Sequence, residues 1–183
     1  IDGFVEISGS FGLEKQGDTV LVGVAGFTSF LGINGGTEEA LGVQVSAGNL
    51  GLVLRNGSYA LDASGAASLV GLAGLDLSGT FSIRANQLGT SVTETVWTPA
   101  GDVLVDFDTA EKVLSVGGSA VISVAGIFEV RGTISVTKTE SGAIFVDIPD
   151  VAAALSINDL EIFEVGGAAR FSIGGTDGFQ LLD

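Results

Sequence analysis

The chain has 183 residues, with 22 acidic against 7 basic side chains and a net charge of −15, which argues against nucleic-acid phosphates and anionic headgroups as partners. It has no Cys, His or Met, which removes disulfides, thiolate and imidazole metal ligands, the usual general base and the strongest nucleophile. Hydrophobic residues reach 46% and charged ones only 16%, with 29 Gly, a mixture that suits strands and tight turns. Gly, Ser or Asp interrupts every apolar stretch before it is long enough for a membrane-spanning helix.

From the first residues onward one frame recurs. Val5-Glu6-Ile7-Ser8-Gly9-Ser10-Phe11 alternates apolar and polar positions around a glycine. Alternation marks a strand with one buried face, and it places Val5, Ile7, Phe11 and Leu13 in the buried row. Gln16-Gly17-Asp18 then signals a turn, and Thr19–Val24 a return strand. A looser copy, Val43-Gln44-Val45-Ser46-Ala47-Gly48, runs to Asn56-Gly57, the strongest short hairpin signal because both turn positions need positive φ. Asn56-Gly57-Ser58 also spells a glycosylation acceptor, which the turn explains without sugar.

Further copies are Leu75-Asp76-Leu77-Ser78-Gly79-Thr80-Phe81, Phe128-Glu129-Val130-Arg131-Gly132-Thr133-Ile134 and Phe163-Glu164-Val165-Gly166-Gly167. Glycines 9, 48, 79, 132 and 167 thus share the inner row. A glycine repeated inside strands implies a bend, a bulge or a close backbone approach. The expected organisation is one repetitive domain over residues 1–183, with hairpins at about 3–32, 41–73, 74–116, 119–157 and 160–183. Two loop insertions fall at 33–40 and 87–101, the second carrying Trp97 and Pro99.

The fold class expected is all-β: an antiparallel meander of long repeated β-hairpins, closed as a barrel, folded as a sandwich or left as an open stack. A parallel β-solenoid is the alternative, and it accommodates so many hairpin turns poorly. An outer-membrane barrel would need two aromatic girdles, and the chain has one Trp and one Tyr. Ile1 in place of Met points to a processed chain or an internal piece. Reading the last residues into the first gives Leu-Leu-Asp-Ile-Asp-Gly-Phe-Val, which looks like uninterrupted interior and suggests a tandem array or end-to-end subunits.

No catalytic residue is expected. Acid pairs such as Asp106 with Asp108, or Asp147 with Asp150 around Pro149, do not stand out from surface carboxylates. No cofactor is demanded. Calcium is the ion that Asp106, Asp108, Asp147, Asp150, Asp159 and Asp177 would suit, because all lie in or beside expected turns. None falls in an EF-hand loop or a Gly-Gly-x-Gly-x-Asp nonapeptide. Trp97 is the one candidate for an exposed loop contact.

The copies, running over residues 3–183, resemble tandem β-repeat modules of very large secreted bacterial surface proteins, adhesin-like and associated with repeats-in-toxin segments. That resemblance implies an extracellular, extended, adhesive or structural role. The repeat, the acidic charge and the continuity of the two ends add the expectation of a segment of a filament or giant surface protein that associates with copies of itself through strand edges or end to end. The competing expectation is a secreted glycan- or protein-binding module that uses loops 33–40 and 87–101.

Overall fold

A computed structural model of the chain describes residues 5–158, 160–173 and 179–182. Twelve strands follow in chain order: β1 (Val5–Gln16), β2 (Thr19–Ile33), β3 (Leu41–Arg55), β4 (Ser58–Val70), β5 (Leu75–Asn86), β6 (Val92–Val96), β7 (Val103–Phe107), β8 (Val113–Val124), β9 (Phe128–Thr139), β10 (Ile144–Ile157), β11 (Leu160–Ile173) and β12 (Phe179–Leu182). No helix occurs among the described residues, and so none is long and apolar enough to cross a membrane.

Ten of these strands form a single antiparallel meander in the order β1-β2-β3-β4-β5-β8-β9-β10-β11-β12. The sheet is open: β1 and β12 are its edges, and nothing pairs them among the described residues. The barrel and the solenoid are thereby corrected. A solenoid needs parallel pairing between coils, and every ladder here is antiparallel. A barrel needs its first and last strands to meet.

Turn chemistry sets the hairpins. Asn56 and Gly57 take φ of 51° and 77°, as a two-residue hairpin loop with matching twist requires. Between β8 and β9 a three-residue loop, 125–127, turns through Ala125 and Gly126, with φ of 54° and 64°. Residues 119–124, expected to open the fourth hairpin, are therefore the second half of β8 and close the third.

The expected insertion at 87–101 is longer, running over 87–112 between β5 and β8. It folds as its own hairpin, β6 with β7, and lies on one face of the sheet. The buried core sits under it: Leu21, Val53 and Ala60 from the sheet meet Val92, Val96, Val105 and Phe107 from the insertion. Burying a Val or Leu side chain is worth about 1.5–3 kcal/mol, so these contacts anchor the insertion.

Register slips bend three strands. They fall at Ala25–Gly26 in β2, where Gly26 has φ 60°, beside Ala47 in β3, with φ 49°, and between Asp147 and Asp150 in β10. Pro149 lies within the last of these, where a residue without N–H removes no ladder bond. A fourth, smaller slip lies in β11 opposite Leu155 and Ser156.

Candidate functional site

The two faces of the sheet differ in chemistry: one is apolar on all ten strands, and the other is charged outside the footprint of the 87–112 hairpin. Residues directly opposite each other in an antiparallel ladder project to the same side, so the register assigns each position to a face. One row runs Phe11–Val24–Leu50–Ala63–Ile83–Val116–Val136–Val146–Phe171–Leu181, apolar on all ten strands. A parallel row, Leu77–Ile122–Val130–Ala153–Val165, crosses the other half of the strands.

The opposite face carries the charge. Asp62 and Arg84 are direct cross-strand partners and form an ion pair at 2.8 Å. Arg131 pairs with Glu129 at 3.1 Å and with Glu164 at 2.6 Å, and Arg170 with Asp147 at 3.8 Å. The hydrogen bond to Glu129, then the charge of Glu164, raise the Arg131 guanidinium above its ordinary pKa. Hydroxyls fill the rows between, as in the cross-strand pairs Thr80 with Ser119 and Ser115 with Thr137.

On the apolar face the only charged side chains among the described residues are Lys15 and Lys138, both one residue from a strand end. Lys112, just before β8, stands at the same end and shares a polar cleft of about 620 Å³ with Lys138, Tyr59 and Gln87. Among the described residues the ion pairs use all four arginines and none of these lysines.

The expectation of a buried inner row is only half met. Phe11 and Leu13 share one face as alternation predicts, yet they are 61% and 74% exposed. Near the middle of this face lies an open groove of about 500 Å³, lined by Phe81, Val116, Ile122, Val130, Ile134 and Ile148. Glycines 118 and 132 lie along it where no side chain rises.

The five repeated glycines fall into two groups. Gly9 and Gly48 lie at the register slips, flanking Phe27: its Cβ would sit 2.9 Å from a side chain placed on Gly9, and its ring covers Gly48. Gly79, Gly132 and Gly167 stand in one continuous row on the apolar face, Gly79–Ala120–Gly132–Val151–Gly167.

The expected calcium ligands are dispersed. Asp106 accepts a hydrogen bond from Thr93 at 2.9 Å on the outer side of the insertion, and Asp108 follows the end of β7. Asp147 faces Arg170, and Asp150 lies at the β10 slip. Asp159 and Asp177 lie outside the described residues. No group of three His, Cys, Asp or Glu side chains able to hold a metal ion occurs among the described residues. Trp97 is 64% exposed at the tip of the insertion, and its backbone N–H donates to the Glu14 carboxylate at 3.4 Å.

No protein-family model, curated protein or solved structure matches this chain.

The residue that sequence reasoning missed is Asn86, fully buried at the end of β5. Its amide donates to the carbonyls of Thr90 at 2.9 Å and Thr109 at 3.3 Å, and its carbonyl accepts from Leu88 N–H at 3.0 Å. One side chain thus ties both ends of the 87–112 segment to the sheet. Arg84 adds a second tie, stacking 4.7 Å over the Phe107 ring and donating to the Asp106 carbonyl. Asn86→Ala should lower stability by about 2–4 kcal/mol, since it strands a buried donor and two carbonyls. Urea denaturation reads that loss, and the Leu88 amide should lose its protection from hydrogen exchange. A variant within 0.5 kcal/mol of wild type, on the order of a neutral surface change, would dismiss the clasp.

Proposed function

We propose that the chain is a structural module of an extracellular bacterial filament or giant surface protein, built to associate with further β layers. The observation that carries this reading is the contrast between faces: one face of a ten-stranded sheet is covered over β1–β4 by the 87–112 hairpin and is ion-paired and hydroxylated beyond it, while the other is apolar and open. A contiguous apolar surface of that extent on a soluble chain marks an association surface. The edges supply a second means. β1 has no outer neighbour among the described residues, and β12 covers only Arg170–Ile173 of β11. Such edges pair readily with other strands, end to end or side by side.

The rival reading, a glycan or protein site on the two long loops, gains no support from the geometry. The 87–112 segment is packed onto the sheet as its core, and residues 34–40 turn at a strand end, where Thr37 bonds back to Asn34.

Electron microscopy and sedimentation velocity test the proposal. Rods, filaments or discrete oligomers are expected at micromolar concentration, and a proline scan along β1 should shorten any edge-built species. Monomers at every protein and salt concentration would sink it.

A further inference from the structure

We infer that the apolar face is the seat of a second copy of this chain, laid face to face with the strand ends exchanged. This rests on the structural reading above and names the surface and the partner for it.

Area comes first. The chain exposes 10844 Å². A compact monomer of its 18.3 kDa would expose about 8,100 Å². The excess of roughly 2,700 Å² exceeds the ~800 Å² per partner of a standard interface and reaches the size of obligate ones. Part of that excess belongs to the edges and the uncovered charged face; two sheets packed about 10 Å apart, within ~30° of parallel strands, would bury the apolar face's share as the inside of a sandwich.

Charge comes second. A net charge of −15 opposes self-association, but nearly all of that charge lies on the other face or in turns and points away from such a contact. The lysine end remains: Lys138 is exposed one residue from the end of β9, where its ammonium can stay at the rim, and Lys15 is the charge to be matched. Lys15 on β1 stands at the end opposite the loop 34–40, which carries Glu38 and Glu39. A two-fold axis running across the strands lays β1–β3 over β1–β3 with ends exchanged, so Lys15 meets Glu38 and Glu39 of the second copy. An axis along the strands would set lysine end on lysine end. The contact is isologous and closes as a dimer, which leaves the sheet edges free for longer assembly.

Shape comes third. The groove between Phe81 and Ile134, with Gly118 and Gly132 along it, offers hollows beside projecting side chains on the same surface. A self-complementary contact needs both.

Sedimentation equilibrium of the full chain should show a dimer, while Val116→Lys and Ile134→Lys each weaken it by at least about 100-fold, because a buried unpaired charge is costly. Both positions are about half exposed, so circular dichroism should stay unchanged. Lys15→Glu should also weaken the dimer, and adding Glu38→Lys and Glu39→Lys should restore it. Oligomers that survive either lysine variant but dissolve with proline in β1 would overturn the face-to-face contact and leave the structural reading standing. A monomer at all concentrations would overturn both. Flotation of wild type, but not of the lysine variants, with neutral phosphatidylcholine vesicles in the absence of a dimer would assign the face to lipid and overturn the inference.

Discussion

Gly23→Val should detach the 87–112 hairpin from the sheet and lower stability by at least about 3 kcal/mol, the loss of one or two buried valines from a small core. Gly12, Gly23 and Gly51 are paired in one row on the charged face, directly beneath the hairpin. A Cβ on Gly23 would stand 2.9 Å from the Val96 Cβ, and one on Gly12 would run into the Trp97 carbonyl. On Gly51 it would meet the Val105 side chain. Val96 and Val105 are fully buried, so the hairpin has no slack in which to rise without losing its anchors. Hydrogen exchange at Val103 and Val105 should accelerate along with the fall in the urea midpoint. Retained protection there would show that the hairpin adapts and that the glycine row is incidental.

That row explains what the sequence did and did not disclose. Strand positions and turns were legible because they are local: alternation fixes faces, and Asn56-Gly57 fixes a loop. The covering of the charged face by the insertion leaves its own trace in the sequence. Val20-Leu21-Val22-Gly23-Val24-Ala25 does not alternate at all, which is how a strand reads when both its faces are covered. Outside the insertion's footprint the strands revert to strict alternation, as in Leu75-Asp76-Leu77-Ser78. Closure was not legible. The same alternation serves a barrel, a sandwich or an open sheet, and the difference lies in whether two distant edges meet. The acids failed as a site for a similar reason. Asp106 is held by Thr93 across a hairpin and Asp147 faces Arg170 across a ladder, partnerships that depend on register and not on spacing.

Gly79→Val and Gly167→Val should act in opposite directions, although both glycines occupy one row of the apolar face and the same place in the repeat. A Cβ on Gly79 would strike the Ser119 carbonyl of β8, a backbone atom that moves only if the central ladder moves with it. The expected loss is roughly 3 kcal/mol, at the upper end for overpacking. Gly132 is intermediate: its Cβ would lie 3.0 Å from the Asp150 carbonyl and 3.4 Å from the Val151 side chain. The nearby β10 register slip gives that strand room to yield, so about 1–2 kcal/mol is expected. At Gly167 nothing lies within 4 Å, and valine there trades a flexible residue for a strand former, a gain of up to about 1 kcal/mol. Urea midpoints should therefore rank Gly167→Val at or above wild type, then Gly132→Val, then Gly79→Val. Equal losses at all three would mean that the repeated glycine serves one common bend. The ranked outcome would mean that the repeat keeps a glycine at every copy while close backbone packing requires it only near the centre of the sheet. At Gly167 the position would then be open to whatever layer covers the apolar face, and its valine variant would change association before it changed folding.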